Sequence, residues 1–202
     1  MSVGLSLMVF QQITGQPSVL YYASQVLQQA GLTDAKDAAG TSVLIGACKL
    51  AMTGVAVAAV ETVGRRPLLI GGVGAMTAAL VVLSAAAAEG SALPALGPAA
   101  AVVALLVYVG AYQVSFGPIS WLICGEVFPL TVRSQALALA TLANFGCNFG
   151  VALVLPALQR EWGLSGTFAL FAALSAAAVA VIAVTIPETK GKALEEIEEM
   201  WM

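Results

Sequence analysis

No histidine occurs in the 202 residues, and only 9% of them are charged. The missing histidine removes the usual base of a Ser/His or Cys/His nucleophile pair and the commonest metal ligand. Cysteine is scarce as well. Cys48, Cys124 and Cys147 stand far apart with no CxxC pairing, so they read as small core residues and support neither a disulfide framework nor a metal site. There is no Gly-rich phosphate loop, which leaves an ATP-driven pump or a hydrolase without a nucleotide cradle. A net charge of −3 offers no basic face to nucleic acid. No cofactor is expected.

Apolar residues, by contrast, make up 60% of the chain. A membrane span needs about 20 predominantly apolar residues, and six stretches qualify: 2–29, 40–60, 68–88, 98–122, 134–158 and 164–186. Each is closed by a polar or Gly/Pro-bearing gap. An Ala-rich water-soluble bundle would need a charged face on each helix, and five of the six spans carry no charge. The first span is too long for a signal peptide and lacks a basic leader. The pattern predicts an all-α, multi-pass membrane protein: a six-helix bundle over 1–186 and a tail over 187–202.

Lysine and arginine set the orientation. With six crossings, Arg65, Arg66, Arg133, Lys190 and Lys192 fall on one side, and Lys36 and Arg160 on the other. That bias predicts that the 61–67 loop, the 123–133 loop and the tail are cytoplasmic. The acids of the tail, Glu195, Glu196, Glu198 and Glu199, count little in this rule.

Six spans divide into two groups of three, and the first helix of each group is interrupted. Gly15 and Pro17 break one, and Gly117-Pro118 ends the other, with Trp121 just beyond. Matched interruptions in two halves mark an inverted-repeat transporter with its site near the midplane. Polar residues collect on the same helices. Gln11, Gly15, Ser18 and Tyr22 share a face, Gln12 and Gln16 form a neighbouring row, and Thr141, Asn144 and Asn148 line a third. Tyr112, Gln113, Ser115 and Ser120 join them on the fourth span. Amides and hydroxyls both donate and accept, and an aromatic face stacks on the C–H side of a ring, so the set suits a neutral, hydroxyl-rich solute better than an ion. The same residue types also hold membrane helices together.

Lys49 lies near the middle of the second span, where a lysine costs about 2.5–3.5 kcal/mol on insertion scales. Its position fits a polar cavity, where it would donate to a solute or anchor a gate; bonding to helix carbonyls is the alternative.

Five motifs then fall in a recognisable order: Gln11-Gln12-Ile13-Thr14-Gly15, Gly64-Arg65-Arg66-Pro67-Leu68, Gly117-Pro118-Ile119-Ser120-Trp121, Glu126 to Arg133, and Pro187-Glu188-Thr189-Lys190-Gly191. The chain resembles, over its whole length, the sugar porters of the major facilitator superfamily. The strings FQQITGQPSVLYY and YQVSFGPISW look nearest to plant and algal vacuolar glucose carriers and xylose–proton-symporter-like proteins.

The resemblance implies twelve spans, of which these are the seventh to twelfth, so that an N-terminal six-helix half is the missing partner. It implies a monosaccharide substrate, hexose or pentose, moved by alternating access. It points to Gln11, Gln12, Trp121 and Asn144 as sugar-binding residues, and to Arg65 and Arg66 with the Glu126/Arg133 pair as a cytoplasmic salt-bridge latch, with Glu61 and Glu188 as further partners.

The chain departs from the commoner family pattern at three places. Gln16-Pro17 replaces an expected Ile-Asn, so Gln16 stands in for a sugar-binding asparagine. Gln113 replaces a glutamate, and Lys49 an asparagine. Glu61, Glu89, Glu126 and Glu188 all sit at span ends, so proton-coupled and facilitative transport both stay open, as do vacuolar, plastid-envelope and plasma membranes. The other function classes weighed are a non-transporting sugar sensor, which the short tail disfavours, and a membrane enzyme using Lys49, which lacks a partner acid.

Overall fold

The computed structural model describes residues 2–19, 23, 38–88, 97–192 and 196. Among them are six helices: α1 (Ser2–Ile13), α2 (Ala38–Val60), α3 (Arg65–Ala87), α4 (Gly97–Val114), α5 (Phe116–Val127) and α6 (Arg133–Thr185). Four stretches of helix are long and apolar enough to cross a membrane: Val43–Val60, Arg65–Ala87, Ala99–Val127 and Arg133–Thr185. Tyr22, Lys36 and Glu89 lie outside the described residues, as do Glu195, Glu198 and Glu199.

The helix ends follow from proline chemistry. A proline has no N–H, and its ring collides with the carbonyl four residues back. Four residues before Pro17 is Ile13, the last residue of α1; four before Pro118 is Val114, the last of α4. Beyond each break the chain is helical again, at 16–19 and in α5, with the proline in the first turn where its missing donor is harmless. The sequence placed the second break at Gly117-Pro118 itself; the structure places it at Ser115, which has φ −113° and ψ −95°. Pro67 occupies the same first-turn place in α3, after Gly64.

The fifth and sixth spans are limbs of α6, and the gap expected at 159–163 narrows to one residue. Gly163, at φ 66° and ψ −174°, is in a region that only glycine occupies readily, and the chain turns there. The first limb also keeps Pro156 inside its helical run.

Packing is centred on α3, which lies against α4 and α6; α1 lies against α5 and α6, and α2 against α4. Leu69, Met76, Leu80, Tyr108, Phe116 and Phe168 are fully or almost fully buried between these helices. Val43, Leu50 and Val57 on α2, and Phe145, Phe149 and Leu153 on α6, are exposed instead. Apolar side chains facing outward along a span fit a hydrocarbon solvent.

At one end of the bundle, Ser84 and Ser165 clasp α3 to the second limb of α6. Each hydroxyl donates to the other residue's carbonyl at 2.8 Å.

Candidate functional site

The two broken helices bring the amides of the sequence reading together. Gln11 and Gln12 occupy the last turn of α1, beside the start of α5 and the first limb of α6. Gln11 Nε2 donates to the Phe116 carbonyl at 2.7 Å. Asn144 Nδ2 donates to Gln11 Oε1 at 2.6 Å, and also to the Met8 carbonyl at 3.2 Å. Gln12 Nε2 donates to Asn144 Oδ1 at 2.9 Å, and Asn148 Nδ2 to Gln12 Oε1 at 2.9 Å.

These four bonds form one directed chain, from Asn148 through Gln12, Asn144 and Gln11 to the main chain at Phe116. A carbonyl oxygen can only accept, so Phe116 forces the Gln11 amide nitrogen to face it. That choice turns the Gln11 oxygen toward Asn144 and sets every later amide in sequence. Gln11, Gln12 and Asn144 are all buried. Buried amides that satisfy one another polarise along the chain, and each would be costly to orphan.

The other expected binding residues stand apart from this chain. Gln113 is tied elsewhere, its Nε2 donating to Thr53 Oγ1 on α2 at 2.9 Å, while the Thr53 hydroxyl donates to the Lys49 carbonyl at 2.8 Å. Lys49 is half-buried, and its ammonium makes no ion pair or hydrogen bond among the described residues. Gln16, in the first turn beyond the break, is half-buried without a hydrogen bond among the described residues. Trp121 is 37% exposed. Ser18 and Ser120 are buried, and their hydroxyls find no partner among the described residues.

The sequence reading singled out neither Thr53 nor Tyr108. Tyr108 is buried, and its hydroxyl donates to the Thr14 carbonyl, freed at the α1 break, at 3.2 Å. A tyrosine aimed at an interrupted turn has no sequence signature, because the two residues are 94 positions apart.

The charged residues assemble at the other end of α3 from the serine clasp. Arg65 is held to Glu126 through Nη2 at 3.1 Å and Nε at 3.3 Å, and reaches the exposed Glu61 at 3.5 Å. Glu126 Oε2 also accepts from the Thr189 hydroxyl at 2.7 Å. Glu188 lies across the start of α3, taking the Arg65 N–H at 2.9 Å and the Arg66 N–H at 3.1 Å. A carboxylate there satisfies donors that have no intrahelical partner and meets the positive end of the helix dipole. Gly64 makes this possible: its φ is 103°, and a Cβ would lie 2.7 Å from Glu188 Oε2. Arg66 Nη2 donates to the Ala183 carbonyl at 2.7 Å, and the Lys190 ammonium to the Thr62 carbonyl.

One expected pairing is absent. Glu126 and Arg133 do not form an ion pair; Arg133 Nε donates to the Phe128 carbonyl at 2.9 Å, capping the end of α5. Arg65 takes the carboxylate because α3 and α5 lie side by side there, whereas the Pro129–Val132 turn carries Arg133 back onto its own chain. Among the described residues, no group of three or more His, Cys, Asp or Glu could hold a metal ion.

Comparison with known proteins places this arrangement. The family described as "Sugar (and other) transporter" matches residues 1–201. D-xylose-proton symporter-like 2 of Arabidopsis thaliana is 50% identical over 196 residues, which are 97% of this chain and 38% of the relative. The glucose facilitated diffusion protein of Zymomonas mobilis is 36% identical over 206 residues, covering 98% and 42%. Among solved structures, the proton:xylose symporter XylE bound to 6-bromo-6-deoxy-D-glucose superposes with a TM-score of 0.86 at 30% identity, covering 100% of this chain and 42% of that one. The inward-open xylose transporter XylE from E. coli gives 0.84 at 31% identity, with the same coverage. The chain thus spans about two fifths of the length of the relatives it matches. With an all-helical, membrane-crossing fold, two interrupted helices and a family match over nearly its whole length, the chain belongs to the sugar transporter family of the major facilitator superfamily.

Proposed function

We propose that the chain furnishes one six-helix half of a monosaccharide carrier that works by alternating access, opposite a complementary six-helix half. The observation that carries this reading is the directed amide chain at the two helix breaks. A sugar hydroxyl both gives and takes a hydrogen bond, so it can replace a link in that chain and leave no amide orphaned. Gln11, Gln12 and Asn144 hold the hexose or pentose, with Trp121, Gln16, Gln113 and Lys49 around them. The names of the relatives support this solute class: xylose for the plant and E. coli symporters, glucose for the bacterial facilitator.

The cluster of Glu61, Arg65, Arg66, Glu126 and Glu188 serves as a cytoplasmic latch, with Arg133 bracing the turn beside it and the 187–190 segment docked on it through Glu188 and Thr189. Partly buried arginine–carboxylate pairs hold one state and release another when the halves rock apart. The acids Glu61, Glu126 and Glu188 all lie at this end, so proton coupling would draw its mid-membrane carboxylate from the complementary half.

The test is uptake of labelled xylose and glucose into proteoliposomes carrying the protein completed with its complementary half. Gln12→Ala and Asn144→Ala are expected to lower uptake at least tenfold; uptake unchanged in both would overturn the assigned site, and no uptake by the unmodified protein would overturn the carrier.

A further inference from the structure

Lys49 occupies the middle of α2, the twelfth of its 23 residues. Glu61 stands 12 positions further on, about 18 Å along the helix axis, and Asp37 stands 12 positions before it in the sequence. A lysine side chain spans about a third of that distance, so Glu61 is out of its reach. Its own backbone carbonyl is already taken by the Thr53 hydroxyl, and Thr53 in turn accepts from Gln113. Lys49 and Thr53 are one turn apart on α2, and Thr53 faces Gln113 on α4. The ammonium meets no anion among the described residues.

A mid-membrane cation persists when it is paired. A carboxylate could come from the solute or from the opposite half of the protein. Xylose and glucose, the solutes named for the relatives, are uncharged and would bring no anion to Lys49. We infer that Lys49 forms an ion pair with a carboxylate on a span of the complementary half, a contact between the halves at mid-membrane and separate from the end cluster. This rests on the two-half carrier proposed above. The pair bridges the solute path, so it must open and close as the halves rock, and it ties their approach to the presence of that acid.

Charge exchange in the completed protein tests it. Lys49→Glu is expected to lower uptake of labelled glucose at least tenfold, and one Asp→Lys or Glu→Lys change within the spans of the complementary half is expected to restore a substantial part of it. Cysteines at Lys49 and at that acid are expected to cross-link, a readout that needs no transport. If the unmodified protein takes up glucose but no exchange restores Lys49→Glu and no cross-link forms, the pairing is wrong and the carrier stands. If the cross-link forms in a protein that moves no sugar, the pairing stands and the carrier reading falls. Glucuronate competing more strongly than glucose, with that advantage lost in Lys49→Met, would assign the anion to the solute and overturn the inference.

Discussion

Among the described residues, Asn144 is the amide that bonds to both Gln11 and Gln12. It gives its two N–H bonds to Gln11 and Met8 and takes one from Gln12, which exhausts its ordinary capacity apart from one lone pair. Replacing it by aspartate keeps the shape and reverses the chemistry, because an acceptor then faces the Gln11 oxygen and the Met8 carbonyl. Asn144→Asp is expected to destabilise the detergent-solubilised protein more than Asn144→Ala, which strands three partners, at about 1–3 kcal/mol for each one left unsatisfied. Thermal unfolding of the two variants side by side checks the order; equal or inverted shifts would remove the assigned polarity. Most of these residues were legible before the fold was known, since polar amides at helical spacing inside apolar spans draw attention. Their arrangement was not. The bond from Gln11 to Phe116 joins residues 105 positions apart, and only packing of α1 on α5 sets which amide end faces which.

Helix boundaries illustrate how far local chemistry reaches. Gly15-Gln16-Pro17 and Gly117-Pro118 showed that breaks exist, and the rule of the carbonyl four residues back places them at Ile13 and Val114. Gly163 gave a weaker signal, because the polar 159–163 gap showed that the chain turns but not that one residue suffices. Its φ of 66° and ψ of −174° show a turn, and a Cβ there would meet nothing within 4 Å. Gly163→Ala is therefore a test of backbone strain without steric conflict. It is expected to cost about 1–3 kcal/mol, whereas Gly150→Ala, in helix and also facing open space, is expected to be neutral or slightly stabilising. Chemical unfolding of both variants decides; equal stability would mean that the turn at Gly163 is not held in solution. The Glu126–Arg133 expectation failed for a related reason. The resemblance suggested the pair, but the turn between α5 and α6 delivers Arg133 to a carbonyl, while α3 delivers Arg65 from 61 positions away.

Across the bundle, α3 is fastened at both ends: by the serine clasp to the second limb of α6, and by the Arg65, Glu126 and Glu188 contacts to α5 and to the 187–190 segment. Pinning at both ends suits the rigid-body rocking proposed above. Glu188 carries three main-chain donors, the amides of Arg65, Arg66 and Lys190. Glu188→Gln removes the charge and turns one of its two accepting oxygens into a donor group. Faster hydrogen exchange is expected at those three amides, with the helix around Asn144 unchanged, at a cost of about 1 kcal/mol; unchanged exchange at Arg65 and Arg66 would show that the carboxylate does not cap α3. The directed amide chain has a consequence of a different kind. Because every link passes a proton donor in one direction and ends on a fixed main-chain oxygen, it acts as a parity check on whatever enters it. A hydroxyl, with one hydrogen to give and lone pairs to receive, passes that check at any link. A bare metal cation has nothing to give, a carboxylate only receives, and an ammonium only gives. On the carrier reading proposed above, an ion inserted at any link would leave an amide group unpaired or force the amides beyond it to turn over, whereas a sugar hydroxyl would not.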